Sequence, residues 1–387
     1  METMRINRKI IILSMLALGG ALAVHSAINL SKASGFIIRA AGMKGRWAGY
    51  LGSFRTHSVT TRDIAIPTRW GLIRARVYVP EGGSSRASLL TPGVHALGME
   101  EPRLVKLAHD LSAGGMTVIT PELPDLLEYR ITPRLTDLIE DAVMWSIAQP
   151  GIARDGKIGI MGISFAGGLS MVAAGRPAIR DHVAFVLSFG GHGDFKRVLR
   201  YLCTGLQADG VIRPPHDYGV VLILLNIVDR LVPVEQIDPL REAIRRFLWA
   251  SHVDMMDKPK AQQIFEHARE MEKSLPEPAR GLMHAVNTRD VAALGPRLSP
   301  RLVGFGDEPA LSPERSPAPL CPVYLLHGAG DNVIPAIESS SLARHLDDGA
   351  KVHLLITPLI THAEMDRRKS ALDVWRLVRF WERLFSE

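Results

Sequence analysis

Between about Ser58 and Phe189, short apolar runs rich in β-branched residues alternate with amphipathic stretches, and this rhythm narrows the possible folds more than any other feature of the chain. HSVTTRDIAIP and GLIRARVYVP alternate in period two around a turn near Arg69 to Gly71, which predicts an antiparallel pair. ASLLTPGVHALG is then a short apolar strand running into a glycine-bearing loop. EPRLVKLAHDLSAGG sets Leu104, Val105, Ala108 and Leu111 on one helical face, with Pro102 in the first turn and Gly114-Gly115 at the stop. MTVIT, KIGIMGIS and HVAFVLSF follow as buried strands. A helix from Thr132-Pro133 to about Ala148 and a second after Ser164 separate them. Strands separated by helices predict an α/β fold with a mostly parallel sheet covered on both faces.

The rhythm stops at Asp194 and resumes at VYLLHG near residue 323. The intervening stretch reads as helices, broken at RPPHDYG and SLPEPARG and closed by the proline-rich EPALSPERSPAPLCP. We therefore expect an α/β core over residues 56–193 and 320–387, with a helical lid inserted at 194–319. Within the lid, Gly219 to Val228 is apolar but too short to span a bilayer, so it reads as a buried lid helix or an apolar substrate wall. The final helix, about Lys369 to Phe385, carries an apolar stripe of Val374, Trp375, Val378, Trp381 and Leu384-Phe385.

The N-terminus has a different logic. Arg5, Arg8 and Lys9 precede an uninterrupted apolar run, Ile11 to Val24, and Ala21-Leu22-Ala23 resembles a cleavage site. Extended to Leu30 the run reaches membrane-spanning length, at the cost of including His25, Ser26 and Asn29. Residues 1–30 thus read as a signal peptide or a membrane anchor, and 31–55 as a linker whose mixed basic and apolar part, Gly35 to Tyr50, suits a membrane surface. Export or tethering through residues 10–30, with the body on the extracytoplasmic side, is the expected localisation. The net charge of +6 is concentrated partly in this region, and no basic run interleaved with aromatics suggests nucleic acid. Two cysteines, Cys203 and Cys321, read as buried free thiols, with a single disulfide as the alternative. No sequence pattern calls for a metal or another cofactor.

The chemistry starts at Ser164, in KIGIMGISFAGG. A serine between a buried strand and a helix, flanked by Gly162 and Ala166, has the small neighbours that a tight strand-to-helix turn requires. Such a turn lifts the hydroxyl above the sheet edge, where the following helix N-terminus favours developing negative charge. A hydroxyl needs a base to remove its proton. Of the fourteen histidines, His95, His192, His327 and His362 fall in loops at strand ends; His362 is singled out because it lies between the last strand and the last helix. An acid must orient that imidazole. Asp331, after the strand over Val323 to Leu326, is the candidate, and Asp194 is its rival.

From about Thr56 onward, outside the lid, the chain resembles the α/β-hydrolase superfamily, in its dienelactone-hydrolase-like and esterase-like branch. GISFAGG around Ser164, HGAGDNVIP around Asp331 and THAEM around His362 carry the resemblance. It implies a Ser-His-Asp hydrolase with a helical cap after the sixth strand. The oxyanion hole would then use the backbone N–H of Phe165 and, from the loop after the third strand, that of Val94. Two departures stand out: Pro92-Gly93 where the family commonly has His-Gly, and Ala166 for the usual glycine. The expected activity is hydrolysis of a carboxylic ester of a small acyl substrate, with no cofactor. An acyltransferase or a peptidase would use the same three residues, and a non-catalytic binding protein on the same fold is the remaining alternative.

Overall fold

The computed structural model describes residues 27–43, 45–53, 56–153, 155–346, 349, 351–360 and 370–387. Its centre is an eight-stranded sheet: β1 Val59–Thr68, β2 Gly71–Pro80, β3 Ala87–Thr91, β4 Thr117–Pro121, β5 Ile158–Ile163, β6 Val183–Phe189, β7 Val323–Gly328 and β8 Val352–Thr357. The spatial order is β1-β2-β4-β3-β5-β6-β7-β8. β1 and β2 form the expected antiparallel hairpin, with Thr68 opposite Gly71, and β2 pairs antiparallel with β4. Every pairing from β4 through β8 is parallel. The C-terminal ends of those strands therefore share one edge, where a doubly covered parallel sheet usually holds its site.

The period-two alternation splits the strand side chains between two cores. Leu89, Ile160, Val186 and Leu325 face one side, and Leu90, Met161, Leu187 and Leu326 face the other. The first side is covered by α5 (Arg134–Ala148), α6 (Phe165–Ala174) and α13 (Ile337–Leu346); the second by α3 (Pro102–Ala113) and α14 (Ala371–Leu384). On α14 the stripe is Leu377, Val378, Phe380, Trp381 and Leu384, while Trp375 turns outward at 51% exposure. A helix covering a sheet buries only part of its circumference, and the buried face of α14 extends to the flank of Phe380, opposite that of Trp375.

Between β6 and β7 the described chain forms helices: α7 (Phe195–Thr204), α8 (Asp217–Asn226), α9 (Val234–Val253), α10 (Lys258–Ser274), α11 (Ala279–Asn287) and α12 (Val291–Leu298), plus short 3₁₀ turns. Gly219 to Leu225 of α8 are all buried, so this apolar segment is the spine of the lid. Its core runs without a break into the sheet core beneath α6, so the lid is packed onto the body. Cys203 and Cys321 are buried free thiols, and burial pushes both up to about 12, away from reactive thiolate chemistry.

The first part of the stretch expected as a linker, 31–55, is helical. Residues 27–40 form a helix, α1, with Ala33, Phe36 and Ile37 buried against α14 and α3. Phe36 is 2% exposed and its ring lies 4.5 Å from that of Trp381 and 5.6 Å from that of Phe385. Burying a phenylalanine contributes about 2–3 kcal/mol, ample to hold a short helix against the body. Arg39 reinforces the dock through the carbonyls of Gly52 and Asp110. A second short helix, α2 (Arg46–Ser53), follows. Residues 27–30, counted above as the end of an apolar span, belong to this docked helix, and Asn29 is buried there. The run Ile11 to Val24 lies outside the described residues; among the described residues, no helix is long and apolar enough to cross a membrane.

Candidate active site

β5 delivers Ser164 to the sheet edge and α6 begins at the next residue. The serine has φ 56° and ψ −132°, a conformation that side chains other than glycine's rarely adopt. Holding it there costs on the order of 1–3 kcal/mol. The surroundings enforce it: the Ser164 N–H donates to the Phe189 carbonyl at 2.8 Å, and its own carbonyl accepts from the Gly167 N–H at 2.8 Å. The turn is so tight that a Cβ at Gly162 would overlap the Ala166 carbonyl oxygen and the Ser170 hydroxyl. Ala166 itself is fully buried without such a clash, so its methyl group is tolerated.

The loop leaving β3 passes directly over this turn. At Gly93 the position a Cβ would take is 3.7 Å from the Ser164 Cβ. Phe165 and Val94, whose N–H groups were expected to form the oxyanion hole, are the residues that follow the serine and Gly93 respectively.

Asp331 follows β7 and is 3% exposed. Its Oδ1 accepts from the N–H groups of Val333 (2.8 Å) and Ile334 (3.0 Å), which fixes the carboxylate plane. Oδ2 lies 3.7 Å from the position a Cβ would take at Gly190, the residue after β6. The Ser164 N–H meets Phe189 and the Asp331 carboxylate lies beside Gly190, so the two residues approach the end of β6 from the strands on either side of it. Asp194, the rival acid, caps α7 by accepting the Arg197 N–H at 2.7 Å. His362, the expected base, lies outside the described residues, beyond the end of β8 at Thr357.

The other three histidines have structural duties, and His327, expected in a loop, lies within β7, paired opposite Ile356 of β8. His327 donates through Nε2 to the Ile334 carbonyl (2.8 Å), and its Nδ1 is 2.7 Å from the Ser339 hydroxyl. That ring, whose Nε2 is also 3.5 Å from Asp331 Oδ2, braces the acid loop. His192 is fully buried and donates to the Leu311 carbonyl; burial lowers it to about 4.

His95 bridges the loop after β3 to the lid. Its Nδ1 accepts from the Leu97 N–H at 3.1 Å, so Nε2 carries the proton and donates to His252 Nδ1 on α9 at 2.5 Å. Each nitrogen in this chain has its role only while both rings are neutral. Burial, then the facing imidazole, lower His95 to about 4, against partial compensation by Glu101; Arg103 adds to the lowering. Burial lowers His252 as well, with Glu101 opposing it and Arg103 adding to it. A histidine whose folded value is depressed contributes stability that is complete above its unfolded value and is lost as pH falls toward its folded value. From 6.5 to about 4, His95 alone corresponds to about 3 kcal/mol. We expect urea denaturation to show parent stability declining between pH 6.5 and 4 more steeply than that of His95→Asn, the gap between the two closing by about 2–3 kcal/mol. Parallel pH profiles would exclude the pair as the source.

Sequence reasoning missed the lid's side of the site. The Tyr218 hydroxyl, on α8, donates to the Val94 carbonyl at 2.9 Å. The Tyr201 hydroxyl (3.2 Å) and the His216 N–H (2.8 Å) both donate to the Asn332 carbonyl, and Arg213 donates to that of Gly330 (3.0 Å). None of these residues belongs to a recognisable motif, and only the fold brings them together.

No family model and no curated protein matches the sequence. Among solved structures, the chain is similar to brefeldin A esterase, a bacterial homologue of human hormone-sensitive lipase, at 14% identity and a TM-score of 0.45, covering 93% of this chain and 81% of that one. It is similar to a protein described as a dienelactone hydrolase from Klebsiella pneumoniae subsp. pneumoniae (12% identity, TM-score 0.43, 84% and 99% covered). It is also similar to Pyrococcus horikoshii acylaminoacyl peptidase (15% identity, TM-score 0.46), covering 88% of this chain and 43% of the peptidase. The chain's own strand order, its antiparallel β2 and the strained serine turn between β5 and α6 give it the fold of the α/β-hydrolase superfamily.

Proposed function

We propose that the protein is a serine hydrolase that cleaves a carboxylic ester. The observation that carries this reading is the positive φ of Ser164, held by strand and helix at the sheet edge, with the buried Asp331 just beyond the end of β7, two strands away across β6. A residue that served only to connect β5 to α6 would be glycine, which takes this conformation without strain. In the proposed cycle, Ser164 Oγ attacks the ester carbonyl while His362 takes its proton. The Phe165 and Val94 N–H groups hold the oxyanion, and Asp331 orients the imidazole and supports its charge. The intermediate collapses with departure of the alcohol, which receives the proton from His362. Water, deprotonated by the same imidazole, then releases the acid and restores the serine.

The apolar run before residue 27 supports export or tethering on the extracytoplasmic side. A fluorophosphonate probe tests the central reading. It should label the folded chain at Ser164, located by peptide mass spectrometry, and p-nitrophenyl acyl esters should be turned over. Folded protein that neither reacts nor hydrolyses any ester in such a panel would defeat the proposal.

A further inference from the structure

The lid touches both loops that the proposed chemistry needs. Arg213 and His216 hold the carbonyls on either side of Asp331, and two residues later Tyr218 holds Val94. The six-residue segment Arg213–Tyr218 thus reaches from the acid loop to the oxyanion loop. Its far end is secured within the lid: Asp217 pairs with Arg289 at 2.6 Å, and Gly219 to Leu225 are buried.

We infer that Tyr218 is a positioning residue for the oxyanion hole, fixing the Val94 N–H by holding the Val94 carbonyl. The inference rests on the hydrolase reading above. A carbonyl can only accept, so the phenol must donate, and the bond has a single polarity. Gly93, which has no Cβ to restrict its rotation, precedes the peptide unit that carries the donor N–H. That unit is anchored on one side by β3 and on the other only through Val94 and His95. With the Tyr218 bond in place, Val94 cannot rotate freely and its N–H keeps one direction. Burial pushes the phenol up, so it remains a donor at any working pH. Completion of the hole then depends on the lid: a hydrolase of this design is competent only while α8 is seated.

The test uses the full chain with a p-nitrophenyl ester as substrate and an alkyl boronic acid as a probe of the tetrahedral state. Removing one oxyanion donor costs about 10²–10³ in kcat, and a donor left present but unfixed should cost less. Tyr218→Phe should lower kcat about 10- to 100-fold, leave KM within about threefold, and weaken boronate binding by the same factor as kcat. Exchange of Tyr218 for 3,5-difluorotyrosine, which keeps both ring and donor, should restore kcat, and this arm remains decisive if Tyr218→Phe folds poorly. A raised KM with kcat preserved, unchanged boronate affinity, or a difluorotyrosine protein as slow as the phenylalanine variant would overturn the inference while leaving the hydrolase reading intact. Parent protein without any esterase activity or probe labelling would overturn both.

Discussion

Ser164→Ala should reduce kcat/KM toward esters by at least about 10⁴-fold while the protein still folds. In serine hydrolases, loss of the nucleophile costs up to about 10⁶ in kcat, and the residue left over comes from substrate binding and the oxyanion donors. The structure adds a second arm to this experiment. Alanine keeps the Cβ and therefore the strain at φ 56°, so the thermal midpoint of Ser164→Ala should stay close to that of the parent. Ser164→Gly removes the strain, roughly 1–3 kcal/mol at this conformation, against an unfolded-state entropy penalty of about 0.5–1 kcal/mol. It should be as inactive as the alanine variant and no less stable than the parent. An inactive protein that gains stability identifies a position where conformation has been kept for chemistry. An alanine variant with more than about a tenth of parental activity would remove Ser164 from the reaction, whatever its geometry.

What could be read from the chain before its structure follows from how local each signal is. The hairpin over β1 and β2, the buried strands and the lid insertion each announce themselves within ten to fifteen residues, through period two or period 3.6. The serine turn is equally local, since Gly162, Ser164 and Ala166 are neighbours. The N-terminal helix had the same kind of signal, Ala33, Phe36 and Ile37 at helical spacing, but interspersed basic residues made it read as a linker until Trp381 and Phe385 supplied its partner surface. The histidines show where locality ends. His95, His192, His327 and His362 all stand at or just beyond the C-terminal ends of strands, and nothing in their immediate sequence separates a brace from a base. The structure separates the first three because their ring nitrogens are committed to His252 and to backbone carbonyls across the fold. The bonds from Tyr218 to Val94 and from His252 to His95 join residues 124 and 157 positions apart, which no sequence window contains.

The choice between the two candidate acids gives the second large effect. Asp331→Asn should lower kcat by about 10³–10⁴-fold, the range that follows when a triad acid loses its charge but keeps its place. Asparagine is the informative substitution because its carbonyl oxygen can still accept from the Val333 and Ile334 N–H groups, so the turn after β7 should survive. What changes is the second position, where an acceptor oxygen becomes an NH₂ group that can neither accept from an imidazole nor offset its charge. Asp194→Ala is the matched control. It removes the N-cap of α7, which costs about 1 kcal/mol of stability, and it should leave kcat within about threefold of the parent. Two structural facts set this asymmetry: Asp331 stands just beyond the end of β7, one strand beyond β6, and Asp194 already accepts the Arg197 N–H at a helix terminus. If the control abolished turnover and Asp331→Asn did not, the acid would move to the end of β6, and the geometry linking Ser164 through Phe189 and Gly190 to Asp331 would be structural only.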